Sequence, residues 1–115
     1  MRTPPQDAVL LRIFIGENDH ADGRPLYEAL VLKAREMGMA GATVLRGPMG
    51  FGHASRLHTA KILQLSNDLP MIVEIVDANE PIQAFLDAIE PMIGSALVTL
   101  EKATVIRYGD RAAPT

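Results

Sequence analysis

The chain has no cysteine and no tryptophan, and aromatic residues make up only 4% of it. Without cysteine there is no disulfide framework and no thiolate chemistry. That suits the cytoplasm, which is the expected location. With so few aromatics, base-stacking platforms and large aromatic hot spots are not expected. A basic excess is also missing. The 11 Lys and Arg against 14 Asp and Glu leave a net charge of −3, which argues against a nucleic-acid partner. No apolar run approaches the ~20 residues of a membrane-spanning helix. The opening "MRTPPQDAV" lacks the apolar core of a signal peptide. What remains is a chain of 115 residues, 48% apolar, long enough to bury a core as one domain. Residues 1–115 are read as that single domain, with an ordered core over about 8–109 and loose tails.

Periodicity divides the chain into alternating elements. "AVLLRIFIG" (Ala8 to Gly16) is short and almost continuously apolar, as a strand buried on both faces would be. "ENDHADGRP" is a loop turning at Asp22-Gly23. "PLYEALVLKAREMGM" predicts a helix with Pro25 in its first position and Gly38 at its end. Leu26, Ala29, Leu30, Ala34 and Met37 form its apolar stripe. "GATVLRG" is a second strand, "HTAKILQLS" (His58 to Ser66) a third, and "PMIVEIVD" a fourth. "ANEPIQAFLDAIEPMIG" predicts a second helix with Ile82, Phe85, Leu86, Ile89 and Ile93 inward, kinked or ended at Pro91. "ALVTLEKATVIRYG" is the last extended region and "DRAAPT" a loose tail. If the two middle strands form one bent arm, the order is βαββαβ, the ferredoxin-like arrangement. Two helices cover one face of such a sheet. Strands apolar on both faces then call for sister subunits on the other.

The stretch "LRGPMGFGHASRLHTAKIL" (Leu45 to Leu63) is rich in glycine, histidine and cations. It is not a Walker loop, because it joins strands and has no Gly-Lys pair. A flexible hairpin tip and a ligand loop both remain open. His20, His53 and His58 lack the spacing of a metal site. Glu17, Asp19 and His20 read as a solvated loop cluster. Glu74 and Arg107 are single charges in apolar surroundings, and each either faces outward or meets a specific partner.

Several blocks in fixed order resemble the PII-like signalling superfamily: "AGATVLRG", "GFG" followed by His, "LP…EIV" and "ATVIR". "LRIFIGE", "RPLYEALVLKAREMGMAGATVLRG" and "LSNDLPMIVEIVD" are similar to the PII-like family known as domain of unknown function 190. The likeness runs roughly from Val9 to Tyr108. It implies an α+β fold, a ferredoxin-like sandwich assembled as a PII-like homotrimer with ligand clefts between subunits. It also implies that the connection over Arg46–Lys61 is a mobile recognition loop. Residue by residue, it matches the ligand-binding positions of nucleotide-binding PII proteins at Gly41, Thr43, Gly50, Phe51, Gly52, Glu74, Ile75, Val76 and Arg107. Glu74 falls on the base and ribose side, and Arg107 on the phosphate side.

The departures shape the expected ligand. Where PII proteins have a Gly-rich loop with a lysine after the second helix, this chain has "MIGSAL" (Met92 to Leu97). Met71 replaces the lysine after the Leu-Pro pair. Each missing charge-assisted contact costs roughly 1.5–3 kcal/mol. The resemblance therefore implies an adenine nucleotide of AMP or ADP type as the small-molecule effector, rather than tightly held ATP. It implies a non-enzymatic regulator whose loop docks on a partner such as a membrane transporter or channel. The alternative is a metal-handling trimer resembling copper-tolerance proteins of the same fold.

Overall fold

β1 (Asp7–Gly16) is the longest strand, and it lies inside a four-stranded antiparallel sheet. Its near-continuous apolar sequence fits that position, with a strand on each side and buried residues on one face. The computed structural model describes residues 7–51, 68–109 and 111–112, the last two by backbone alone. After β1 comes a small hairpin of β2 (His20–Ala21) and β3 (Arg24–Pro25), then α1 (Leu26–Glu36). β4 (Thr43–Arg46), β5 (Pro70–Asp77), α2 (Asn79–Ile93) and β6 (Leu97–Thr104) follow. A second small hairpin, β7 (Arg107–Tyr108) with β8 (Arg111–Ala112), is last among the described residues. The sheet runs β4-β5-β1-β6, the split βαβ order of the ferredoxin-like fold. The strand expected over 58–66 lies outside the described residues.

Strand register sorts the two faces. Val44, Val73, Ile13 and Val98 stand opposite one another across the four strands, on the side that the helices cover. Leu26, Leu30 and Ala34 of α1 and Ile82, Phe85 and Ile89 of α2 close over them. Leu11, Ile13, Leu30, Val73, Ile82, Phe85 and Ile89 are fully buried. Met37 was expected in the α1 stripe, but it is the C-cap and is exposed. The helix unwinds there into Gly38, which takes a φ of 70°.

Two other expectations need correction, and a third is narrowed. Pro25 is the N-cap of α1, with ψ 138°, rather than its first helical residue. It is held extended by pairing with His20 in the small hairpin. Of the two outcomes expected at Pro91, a kink or an end, the end does not occur, because α2 continues to Ile93 with Pro91 inside it. The final extended region is not one strand. It breaks after Thr104, and Arg107 belongs to the β7–β8 hairpin, where the chain reverses at Gly109 with φ 64°.

The glycines at the base of the Gly-rich stretch have a packing role. The Gly47 N–H donates to the Pro70 carbonyl oxygen at 2.8 Å. A Cβ on Gly47 would sit 2.8 Å from Pro70 Cγ. Gly47→Ala must push the β4 end away from β5, an overpacking cost of about 1–3 kcal/mol. Urea unfolding of this variant is expected to show a loss of that size.

Candidate functional site

The uncovered face of the sheet carries two kinds of row. Leu45, Ile72, Phe14 and Leu97 stand side by side across all four strands. Leu45 and Leu97 are 45% and 61% exposed. The next row is polar: Thr43, Glu74, Arg12 and Thr99. Glu74 is on an inner strand, and Arg12 is its direct cross-strand neighbour. The Arg12 Nε donates to Glu74 Oε2 at 2.9 Å, and its Nη1 donates to Glu101 Oε1 on β6. The hydrogen bond to Glu74 is the main cause that raises the Arg12 pKa. Partial burial opposes it and the Glu101 charge adds to it, so the guanidinium stays charged.

Toward the end of this face where β4 begins and β6 ends lies a groove of about 620 Å³. Gly41, Thr43, Glu74, Val76 and Arg107 all line it. They come from the α1–β4 loop, from β4 and β5, and from β7, so the fold brings together residues far apart in sequence. Leu10 and Tyr108 complete much of its wall. Gly41 has no positive φ, and no atom lies within 4 Å of where its Cβ would be. The fold itself therefore does not require glycine at this position.

The other expected residues fall elsewhere. Ile75 is 1% exposed and points into the helix-covered core, as the pleat demands between Glu74 and Val76. Gly50 and Phe51 line a second cavity of about 580 Å³ at the opposite end of the sheet. The turn over Met92–Leu97 forms one wall of it, and Phe14 lies beneath. Gly52, His53 and His58 lie outside the described residues. The charged or titratable groups on this second lining, among the described residues, are Asp19, Asp68 and His20, with no lysine or arginine. Met71, at the missing-lysine position, is 5% exposed and part of the core.

The loop cluster after β1 has structural partners. Asp19 Oδ2 accepts the Gly16 N–H at 2.9 Å, and Glu17 pairs with Arg46 at 3.2 Å. His20 Nδ1 lies 2.6 Å from the Asn18 carbonyl oxygen. Among the described residues, no three His, Cys, Asp or Glu side chains are grouped to hold a metal ion. No described helix is long and apolar enough to cross a membrane.

Arg12, Tyr108 and Ala40 were not singled out from sequence. Arg12 carried the same signal as Glu74, a lone charge in the apolar run "LLRIFIG". Only the β1–β5 register makes them partners. Tyr108 donates its O–H to the Ala40 carbonyl oxygen at 2.7 Å across 68 positions, a contact that no local pattern announces.

The sheet order and the paired helices define the fold of the PII-like proteins. CPII from Thiomonas intermedia K12, a nitrogen regulatory PII-like protein whose structure is bound to ADP, AMP and acetate, has this fold. The TM-score is 0.64 at 15% identity, over 88% of this chain and 90% of that one. A putative PII-like signaling protein from Thermus thermophilus matches with a TM-score of 0.59 at 17% identity, over 86% and 89%.

Within that fold the chain belongs to the DUF190 family, described as Uncharacterized ACR, whose model matches residues 8–105. A UPF0166 protein of Aquifex aeolicus (strain VF5) is 41% identical over 97 residues, covering 84% of this chain and 91% of the relative. The family match ends two positions before Arg107.

Proposed function

We propose that this protein is a PII-like regulator that binds an adenine nucleotide of low charge, AMP or ADP, in clefts between the subunits of a homotrimer. One observation carries the reading: Gly41, Thr43, Glu74, Val76 and Arg107 converge on one groove. The PII-like fold, and the ADP and AMP bound to the Thiomonas protein, support an adenine ligand.

The division of the matched residues between two cavities supports an intersubunit cleft. The groove and the second cavity lie at opposite ends of the strands in a single chain. A head-to-tail contact between copies would unite the groove of one with Gly50 and Phe51 of the next, and such contacts close into rings. The uncovered row Leu45–Ile72–Phe14–Leu97 gives that contact its apolar surface. The turn over Met92–Leu97, which lines that cavity, carries no cation for a third phosphate, which supports a ligand of low charge. The loop over 46–61 would then order on binding and present the signal to a partner, a membrane transporter or channel. The role is binding rather than catalysis.

Gly41 offers the cleanest test. Its Cβ space is empty in the chain, so Gly41→Ala should fold as well as wild type or gain about 0.4–1 kcal/mol from a stiffer unfolded state. The added methyl group stands where a ligand would approach the backbone. AMP affinity measured by calorimetry should fall about tenfold, with urea unfolding unweakened. Unchanged AMP affinity would remove Gly41 from the site.

A further inference from the structure

The peptide of Ala40 is gripped from both sides. Its N–H donates to Asp77 Oδ2 at 2.9 Å, and its carbonyl oxygen accepts the Tyr108 O–H at 2.7 Å. Asp77 is fully buried, and its other oxygen accepts the Ala78 N–H at 2.7 Å where α2 begins. That side of Ala40 is therefore anchored to the body of the domain. The Tyr108 side is attached to something much weaker. β7 and β8 pair over only two residues each, outside the main sheet. Ile106, just before them, is 80% exposed and contributes little packing. A hairpin that short is not stable alone and takes its position from what it touches.

Arg107 is the residue next to Tyr108, and both line the groove. Gly41 and Thr43, which line it too, follow closely after Ala40. The hydrogen bond from Tyr108 to Ala40 thus joins the strand that carries Arg107 to the loop that carries Gly41. We infer that Tyr108 is a positioning residue for the ligand site: its hydroxyl, through Ala40, sets where Arg107 stands over the groove. This deepens the nucleotide reading above and rests on it for its ligand. The Tyr108–Ala40 bond stands independently.

The conservative variant Tyr108→Phe keeps the ring and removes only the donor. Losing one neutral hydrogen bond should lower AMP affinity about three- to tenfold. Adenosine affinity should change less, because Arg107 serves the phosphate. The discriminating measurement is a double-mutant cycle by calorimetry with AMP. In an Arg107→Ala background, Tyr108→Phe should cause no further loss, since the cation that it positions is gone. Losses that simply multiply, or wild-type AMP affinity in Tyr108→Phe, would overturn the assignment. Hydrogen exchange supplies a readout that needs no ligand. Amides of 40–43 and 105–109 should exchange faster in Tyr108→Phe while those of β1 and β5 do not. If wild type binds no AMP, the nucleotide reading fails and the exchange experiment still decides whether the latch exists. Equal exchange in the two proteins would overturn it.

Discussion

If the proposed homotrimer forms through the uncovered sheet face, Arg12→Ala is expected to dissociate it into single chains at concentrations where wild type would sediment as three. Arg12 lies in the middle of the uncovered sheet face, with a side chain 32% exposed, paired with Glu74 and Glu101. In an isolated chain these partly exposed pairs are worth little, because water and salt screen them. If sister subunits cover the face, the arithmetic changes. Removing the arginine then leaves two carboxylates without their cation in a site that has lost water, which is severely unfavourable. Sedimentation equilibrium should show the midpoint of dissociation rising at least about a hundredfold. The change should leave the fold itself in place, because the helix-covered core does not include Arg12. A variant that stays trimeric would mean that the subunits meet on a surface other than the one around Arg12.

Arg107→Ala should lower AMP and ADP affinity about 10- to 150-fold, the range of one charge-assisted contact, while adenosine binding barely changes. An arginine suits this role because its planar fork donates two parallel hydrogen bonds to phosphate oxygens. Its exposed position on a short hairpin, away from the core cluster, makes a collapse of the fold on substitution unexpected. Trimer mass should be retained. If the variant instead loses trimer and keeps AMP affinity in whatever folded form remains, Arg107 is an interface residue. Glu74→Ala would act differently, because it removes both a groove residue and the Arg12 partner.

The sheet order was legible because each long element carried its own period. β5 begins and ends where "PMIVEIVD" does, and the α2 stripe of Ile82, Phe85 and Ile89 is buried as its spacing requires. The errors cluster where a tertiary contact overrides a local pattern. Pro25 is pulled into a hairpin with His20, and "VIRYG" breaks from β6 because the chain folds back at Gly109. The candidate site residues were named as a set only through resemblance. Their geometry was not, since Ile75 faces away from the groove and Gly50 and Phe51 line a different cavity. The pairing of Arg12 with Glu74 depends on strand register, and register is a property of the assembled sheet.

The groove lined by Gly41, Glu74 and Arg107 is the proposed seat of an adenine nucleotide of low charge. Isothermal titration of the wild-type protein with AMP, ADP and ATP side by side, at one salt concentration, tests it most directly. Saturable binding of AMP or ADP, at least as tight as that of ATP, is the expected result. ATP binding more tightly than both, or no binding of any adenine nucleotide up to millimolar concentration, would contradict it.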